Sequence, residues 1–142
     1  MMNSMVIDMM ISLDTNVWIF GILQGDIFCE KIMLNLDKFD IIVPNQVRTE
    51  LHHNLSSRDL KYFYELVIKS NTQLNYDEVP DVYVTMFKSK GLKKGDAIIG
   101  GFAEWKNVDT IVSDNRDFLR CLSAGHYFEV MSPQEFCEKF NL

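Results

Sequence analysis

Apolar residues along this chain change period from one stretch to the next. Met9-Met10-Ile11-Ser12-Leu13, Ile41-Ile42-Val43 and Thr110-Ile111-Val112-Ser113 are short, nearly continuous apolar runs, the pattern of strands buried on both faces. Between them the spacing lengthens. Asp14-Thr15-Asn16 reads as a turn and helix start leading into Val17-Trp18-Ile19-Phe20. After Gly25, Asp26 predicts a cap for a helix through Leu36, with Ile27, Phe28, Ile32, Met33 and Leu36 at helical spacing. Pro44 suits the opening of the next helix. Behind Ser56-Ser57-Arg58-Asp59, the residues Leu60, Phe63, Tyr64, Val67 and Ile68 recur at i, i+3, i+4, i+7 and i+8, which predicts a core-facing stripe. Thr72 to Tyr76 reads as a short strand or extended connection, and Val79-Pro80 opens a helix that ends near Gly91. Gly95-Asp96 heads a helix from Ala97 to Trp105. The tail predicts a strand over Tyr127-Phe128-Glu129-Val130, then a capped helix at Ser132-Pro133-Gln134-Glu135. Strand-like and helix-like runs alternate, so the expected fold is α/β, a mainly parallel sheet flanked by helices. With no repeat or linker composition, one domain over residues 1–142 is expected.

Composition narrows the class. The chain is 47% apolar and 24% charged, ordinary for a globular protein. A formal net charge of −6 argues against a protein that coats nucleic acid with a broad basic surface. It does not exclude a nuclease, which needs positive charge only beside its cleft. Cys29, Cys121 and Cys137 are odd in number and lack C-x-x-C spacing, so the expectation is buried thiols without zinc or a disulfide framework. The stretch Met1 to Asp8 has no basic region, and Asp8 interrupts its apolar residues. No signal peptide or membrane span is therefore expected, and the expected location is the cytoplasm. Methionines at 1, 2, 5, 9 and 10 leave the translation start open.

Four acids fall where an α/β fold aims side chains at one rim. Asp14 ends the first apolar run, Asp114 follows Ser113, Glu50 lies in the segment after Val43, and Asp96 follows Gly95. Open α/β sheets bind ligands at the carboxyl ends of their strands. Carboxylates gathered there repel unless a proton or cation compensates, and a hard divalent cation suits oxygen ligands. The residues thus point to a metal-dependent enzyme acting on phosphate esters. Each acid alone has a blander explanation. Asp14, Asp96, Asp114 and Asp117 could be helix caps worth roughly 0.5–2 kcal/mol apiece, and Glu50 a solvated helix residue. Capping, however, does not require acids from distant segments to converge. His52 and His53 lack the second histidine or cysteine region of a transition-metal site.

Leu13-Asp14-Thr15-Asn16, Arg48-Thr49-Glu50-Leu51, Gly95-Asp96-Ala97 and Val112-Ser113-Asp114-Asn115-Arg116-Asp117-Phe118 together resemble the PIN-domain ribonucleases, most closely VapC-type toxins of toxin–antitoxin pairs. The resemblance implies a PIN-like fold and a metal-dependent endoribonuclease. In that family's pattern Asp14, Glu50, Asp96 and Asp114 bind Mg²⁺ or Mn²⁺, with Asp117 a fifth acid at the site. Thr15 and Asn16 would position the pocket, and Asn115 would orient Asp114. Apart from the resemblance, positive charge near the site is limited to Arg48, Lys93, Lys94, Arg116 and Arg120, of which Lys93-Lys94, directly before Gly95-Asp96, is the best candidate for a phosphate contact and Arg116 a further substrate contact. Since Mg²⁺ takes only one or two protein carboxylates directly, Asp14 with Asp96 or Asp114 is expected nearest the metal. Glu50 and Asp117 are then expected to orient water or a second ion. The resemblance also implies an RNA substrate, a cognate antitoxin and a homodimer, for which the helix bearing Lys61-Tyr62-Phe63-Tyr64 is the candidate contact.

Two rival phosphate-handling classes fit poorly. A haloacid-dehalogenase enzyme needs a second aspartate two positions beyond the first, where Asn16 stands, and a phosphorelay receiver needs adjacent acids and a late lysine that are missing. Two readings stay open beside the toxin. One is an RNA-processing nuclease outside any toxin–antitoxin pair, the other a catalytically weak PIN-like module that binds protein or RNA.

Overall fold

The computed structural model describes residues 7–122 and 126–142. The candidate start sites Met1, Met2 and Met5 and the glycine at 125 lie outside them. Five strands, β1 (Ile7–Leu13), β2 (Phe39–Val43), β3 (Gln73–Leu74), β4 (Thr110–Val112) and β5 (Glu129–Met131), form one sheet in the order β3-β2-β1-β4-β5. Every pairing is parallel. The expected α/β architecture is therefore present.

Helices α1 (Thr15–Ile22), α2 (Ile27–Met33), α3 (Asn45–Asn54), α4 (Ser57–Ser70), α5 (Asp81–Lys88), α6 (Lys94–Trp105), α7 (Arg116–Cys121) and α8 (Pro133–Phe140) connect and flank the strands. Ile11, Leu13, Ile41, Ile42, Ile111 and Val112 are fully or almost fully buried, as two-faced burial of a parallel sheet demands. Trp18 of α1 meets Phe63 of α4 edge to face at 5.0 Å, a pair worth about 0.5–1.5 kcal/mol beyond its buried area. Trp18 is thus a core residue.

Local chemistry sets most helix starts. The Asp26 carboxylate accepts from the backbone N–H groups of Phe28 and Cys29, and Ser132 with Glu135 completes a reciprocal capping box behind Pro133. Three boundaries and the burial of one residue differ from expectation. α2 stops at Met33, and the chain turns through a 3₁₀ segment at Leu36–Lys38 before β2. α6 begins at Lys94, so Asp96 lies inside its first turn and is not its cap. The tail strand is Glu129–Met131, because its register against β4 starts at Thr110 opposite Glu129. Ile68 is 78% exposed. The apolar stripe of α4 continues past the width of the core beneath it, so only Phe63 and Val67 are fully buried.

The strand order reverses at β1, from which β2 and β3 lie on one side and β4 and β5 on the other. Such a switch point leaves a crevice at the carboxyl ends of the two central strands. A backbone bond from Asp14 N to Val112 O at 2.9 Å closes this junction, and one from Ser113 N to Met131 O at 2.9 Å extends the neighbouring β4–β5 ladder.

Gly21 lets α1 and α2 approach each other. A β-carbon there would stand 2.4 Å from Met33 Cγ and 2.9 Å from the Cys29 carbonyl oxygen. The side chain can move but the carbonyl cannot without shifting α2. Gly21→Ala is expected to destabilise the fold by about 1–3 kcal/mol, read as a lower urea midpoint at unchanged slope. A midpoint equal to the wild type would contradict this packing.

Candidate active site

Asp14 occupies the switch point. It is 5% exposed, and its two oxygens are held separately: Oδ1 accepts from Thr15 N at 2.8 Å and Oδ2 from Ser113 Oγ at 2.7 Å. Ser113 Oγ in turn accepts from Asn115 N at 3.0 Å, so β1 and β4 share one polar junction. Burial pushes the Asp14 carboxyl up to about 6. The Ser113 and Thr15 hydrogen bonds oppose the rise, while the negative charges of Asp96 and Glu50 add to it.

Glu50 reaches this junction from α3. Thr15 Oγ1 donates to its Oε1, and Gln46 Nε2 donates to its Oε2 at 2.8 Å. Gly95 keeps the approach open, since a β-carbon there would meet Glu50 Oε2 at 2.9 Å. Asp96, on the first turn of α6, is partly buried and accepts from Asn115 Nδ2 at 3.1 Å. Burial raises its carboxyl above the ordinary range; the Asn115 bond and Lys93 oppose this, while Glu50 and Asp117 reinforce it. Asp14, Glu50, Asp96 and Asp117 therefore share one electrostatic field.

Asp114 follows β4 at the same rim but is exposed; burial pushes the Cys29 thiol up, Asp26 adds to the rise, and Asp114 contributes less. Asp117 is also exposed and pairs with Arg120 at 2.8 Å. Neither Asp96 nor Asp114 caps a helix. Asn115 caps α7 through Oδ1 and spends its amide on Asp96, so its side chain orients Asp96 where Asp114 was expected. Asn16 and Arg116 are exposed at the first turns of α1 and α7, Lys93 is the N-cap residue of α6, and Lys94 its first residue. Arg48 donates to Asn45 Oδ1 at 2.8 Å and 3.0 Å. His52 is exposed and lies 2.6 Å from the Tyr64 hydroxyl. Sequence reasoning missed Gln46 and Ser113, whose partners are 4 and 99 residues away. The Gln46–Glu50 spacing on one helix was the available signal.

Among the described residues, no three His, Cys, Asp or Glu side chains stand close enough together to enclose an ion. The donor set still suits Mg²⁺ or Mn²⁺. It is all oxygen, Mg²⁺ uses only one or two protein carboxylates and keeps its waters, and a cation would relieve the raised carboxyls of Asp14 and Asp96.

A PIN domain family model matches residues 11–121, which takes in Asp14, Glu50, Asp96, Asp114 and Asp117. The chain belongs to the PIN domain family. Among solved structures, the fold is similar to the DNA-bound VapBC of Salmonella typhimurium, with a TM-score of 0.65 at 21% identity over 88% of this chain and 98% of that one. It is similar to VapBC2 of Rickettsia felis bound to a promoter DNA fragment, with a TM-score of 0.60 at 20% identity over 87% and 98%. PAE2754 of Pyrobaculum aerophilum gives a TM-score of 0.60 at 13% identity over 94% and 96%. No curated protein sequence matches the chain significantly. Among the described residues no helix of this PIN domain is long and apolar enough to cross a membrane.

The Asp14 carboxyl sets a pH dependence. Its folded value of about 6 exceeds the ordinary 3.8, so between those values the native state binds more protons than the unfolded chain. Its contribution to stability is fully present below 3.8 and lost as pH rises through 6, a penalty of about 3 kcal/mol at neutral pH. Asp14→Asn is therefore expected to melt above the wild type at pH 7.5 in chelator, with the gap closing towards pH 4. Parallel melting curves across that range would refute the burial of this charge.

Proposed function

We infer that this PIN domain is a divalent-metal-dependent endoribonuclease, the toxin of a type II toxin–antitoxin pair. The observation that carries the reading is the buried Asp14 carboxylate at the switch point, in the field of Asp96 and Glu50. Asp14 is also the N-cap residue of α1, but a cap needs neither such burial nor two further carboxylates beside it. Asp14, with Asp96 and Asp114, would hold the ion. A bound Mg²⁺ or Mn²⁺ would supply a nucleophilic water near neutral pH and charge stabilisation on the leaving oxygen.

The remaining residues prepare the site. Thr15 and Gln46 hold both oxygens of Glu50 as acceptors, which fixes a carboxylate able to orient a water's hydrogens. Ser113 and Thr15 N fix Asp14, and Asn115 fixes Asp96. Lys93 and Lys94 at the start of α6 offer phosphate contacts, which position a strand without reading its sequence. Asp117 is the fifth acid of the reading, released for duty at the site when its Arg120 pair opens; that pair is exposed on both sides and weakly held.

The VapBC complexes of similar fold support an antitoxin partner. A guanidinium from such a partner would pair with these carboxylates in bidentate fashion and compete with the metal. Self-association as a homodimer belongs to the same reading. Tyr62 and Ile68 are exposed on α4, at 45% and 78%, and Tyr62 borders a groove with Leu34, Leu36 and Leu66. Tyr62→Asp with Ile68→Asp should halve the mass seen by light scattering; an unchanged dimer mass would move the interface elsewhere.

One observation favours a second reading. With no three potential ligands within enclosing distance among the described residues, a PIN module that binds RNA or protein with little catalysis fits as well. Titration with Mg²⁺ or Mn²⁺ on a single-stranded RNA separates the two. The nuclease reading expects cleavage that is lost on chelation, falls by at least about a hundredfold in Asp14→Asn, and drops in Gly95→Ala through displacement of Glu50. RNA binding without cleavage at any metal concentration would establish the module.

A further inference from the structure

A cavity of about 650 Å³ lies beside the carboxylates, not over them. It is framed by the start of α3, the loop after β3, and helices α5 and α6, and its size is that of a small-ligand site. Gln46 joins it to the acidic centre, since it lines the cavity and donates to Glu50. Lys94 is a second link, lining the cavity two residues before Asp96.

The walls differ in charge. Lys88 and Lys94 stand on the helical side, and Asp77, Glu78 and Asp81 on the loop and the first turn of α5. Buried Val79 and Phe102 provide an apolar floor. At the border Tyr76 is 60% exposed, with the Arg48 guanidinium carbon 5.0 Å from its ring centroid. Such a platform suits a flat aromatic body. Carboxylates only accept hydrogen bonds, so that body must present N–H donors to the acidic wall. Asp77 is taken by Lys106 at 2.9 Å, whereas Glu78 and Asp81 are exposed and form no ion pair among the described residues.

Among RNA bases, guanine alone presents two adjacent donors, N1–H and N2–H, to match the two oxygens of one carboxylate. Cytosine and adenine offer an amino group without a neighbouring donor, and uracil a single imide N–H. We propose that this groove is a subsite for a guanine nucleotide of single-stranded RNA next to the cleaved phosphodiester. Glu78 or Asp81 accepts from the base edge, Tyr76 stacks on the base, and Lys94 meets the phosphate leading to the acidic centre. A basic peptide fits less well, because Lys88 and Lys94 would repel it. The subsite rests on the nuclease reading and gives that reading a base preference.

The test reads binding without turnover. Fluorescein-labelled pentamers UUGUU, UUCUU, UUAUU and UUUUU are titrated with the whole protein in chelator and followed by anisotropy. UUGUU is expected to bind about tenfold tighter than UUUUU, and the doubly substituted Glu78→Gln, Asp81→Asn protein to bring the two within about twofold. Circular dichroism melting shows that the variant is folded. Equal binding of all four pentamers by the wild type, or an undiminished preference in the folded variant, overturns the subsite. So does a groove that takes an arginine peptide and excludes every pentamer. Failure of the nuclease reading is a separate result, absence of metal-dependent cleavage for any RNA.

Discussion

The pairing of β1 with β4 is the constraint on which the site depends. Leu13 stands opposite Val112, and the chain crosses from strand to helix at both ends at once. Asp14 N closes the ladder on Val112 O, and Ser113 Oγ returns a hydrogen bond to the Asp14 carboxylate. A shift of one residue in this register would turn Asp14 to the opposite face and replace a supported charge with an apolar neighbour. Apolar strands on both faces of the sheet resist that shift, since Ile11, Leu13, Ile111 and Val112 are all at 0% exposure. The hydrophobic core thus holds a carboxylate where solvation alone would never place it.

Burial raises the Asp14 carboxyl more than its two hydrogen bonds lower it. More donors could have been arranged, and a lysine or arginine beside Asp14 would have settled its charge. Instead, the groups that bear on it are two further carboxylates. Glu50 and Asp96 come from separate helices, each steadied by a neutral amide, Gln46 for one and Asn115 for the other. Neutral donors fix direction without cancelling charge, which leaves the centre short of positive charge and able to attract a cation.

The sequence made some of this legible and hid the rest for identifiable reasons. Strand runs such as Ile41-Ile42-Val43 and caps such as Asp26 and Ser132 are local, and their signals act within a few residues. The acids at Asp14, Glu50 and Asp96 were readable as members of one field because strand ends and helix starts fix their rim. What each acid touches was not readable. Asn115 stands next to Asp114 in sequence but donates to Asp96, 19 positions away, a choice made by the path of α7. Ile68 continued a convincing stripe, yet α4 is longer than the surface it covers. The groove at Tyr76 and Glu78 gave no periodic signal, because loop residues carry none.

The acids at this rim differ most in how they meet water, and that difference divides their work. Asp14 is almost wholly enclosed, Asp96 partly so, and Asp114 and Asp117 are exposed. A buried carboxylate has one rotamer and one partner set, which makes it a fixed reference for anything bound. Exposed carboxylates retain rotamer freedom and full hydration, so they can close on a ligand that arrives later at the cost of ordering a short side chain. Carboxyl groups whose surroundings drive their acidities apart are the usual basis for unlike roles in one centre. On the proposed nuclease reading, Asp14 would set the position of a bound ion, and the exposed Asp114 and Asp117 would adjust to it.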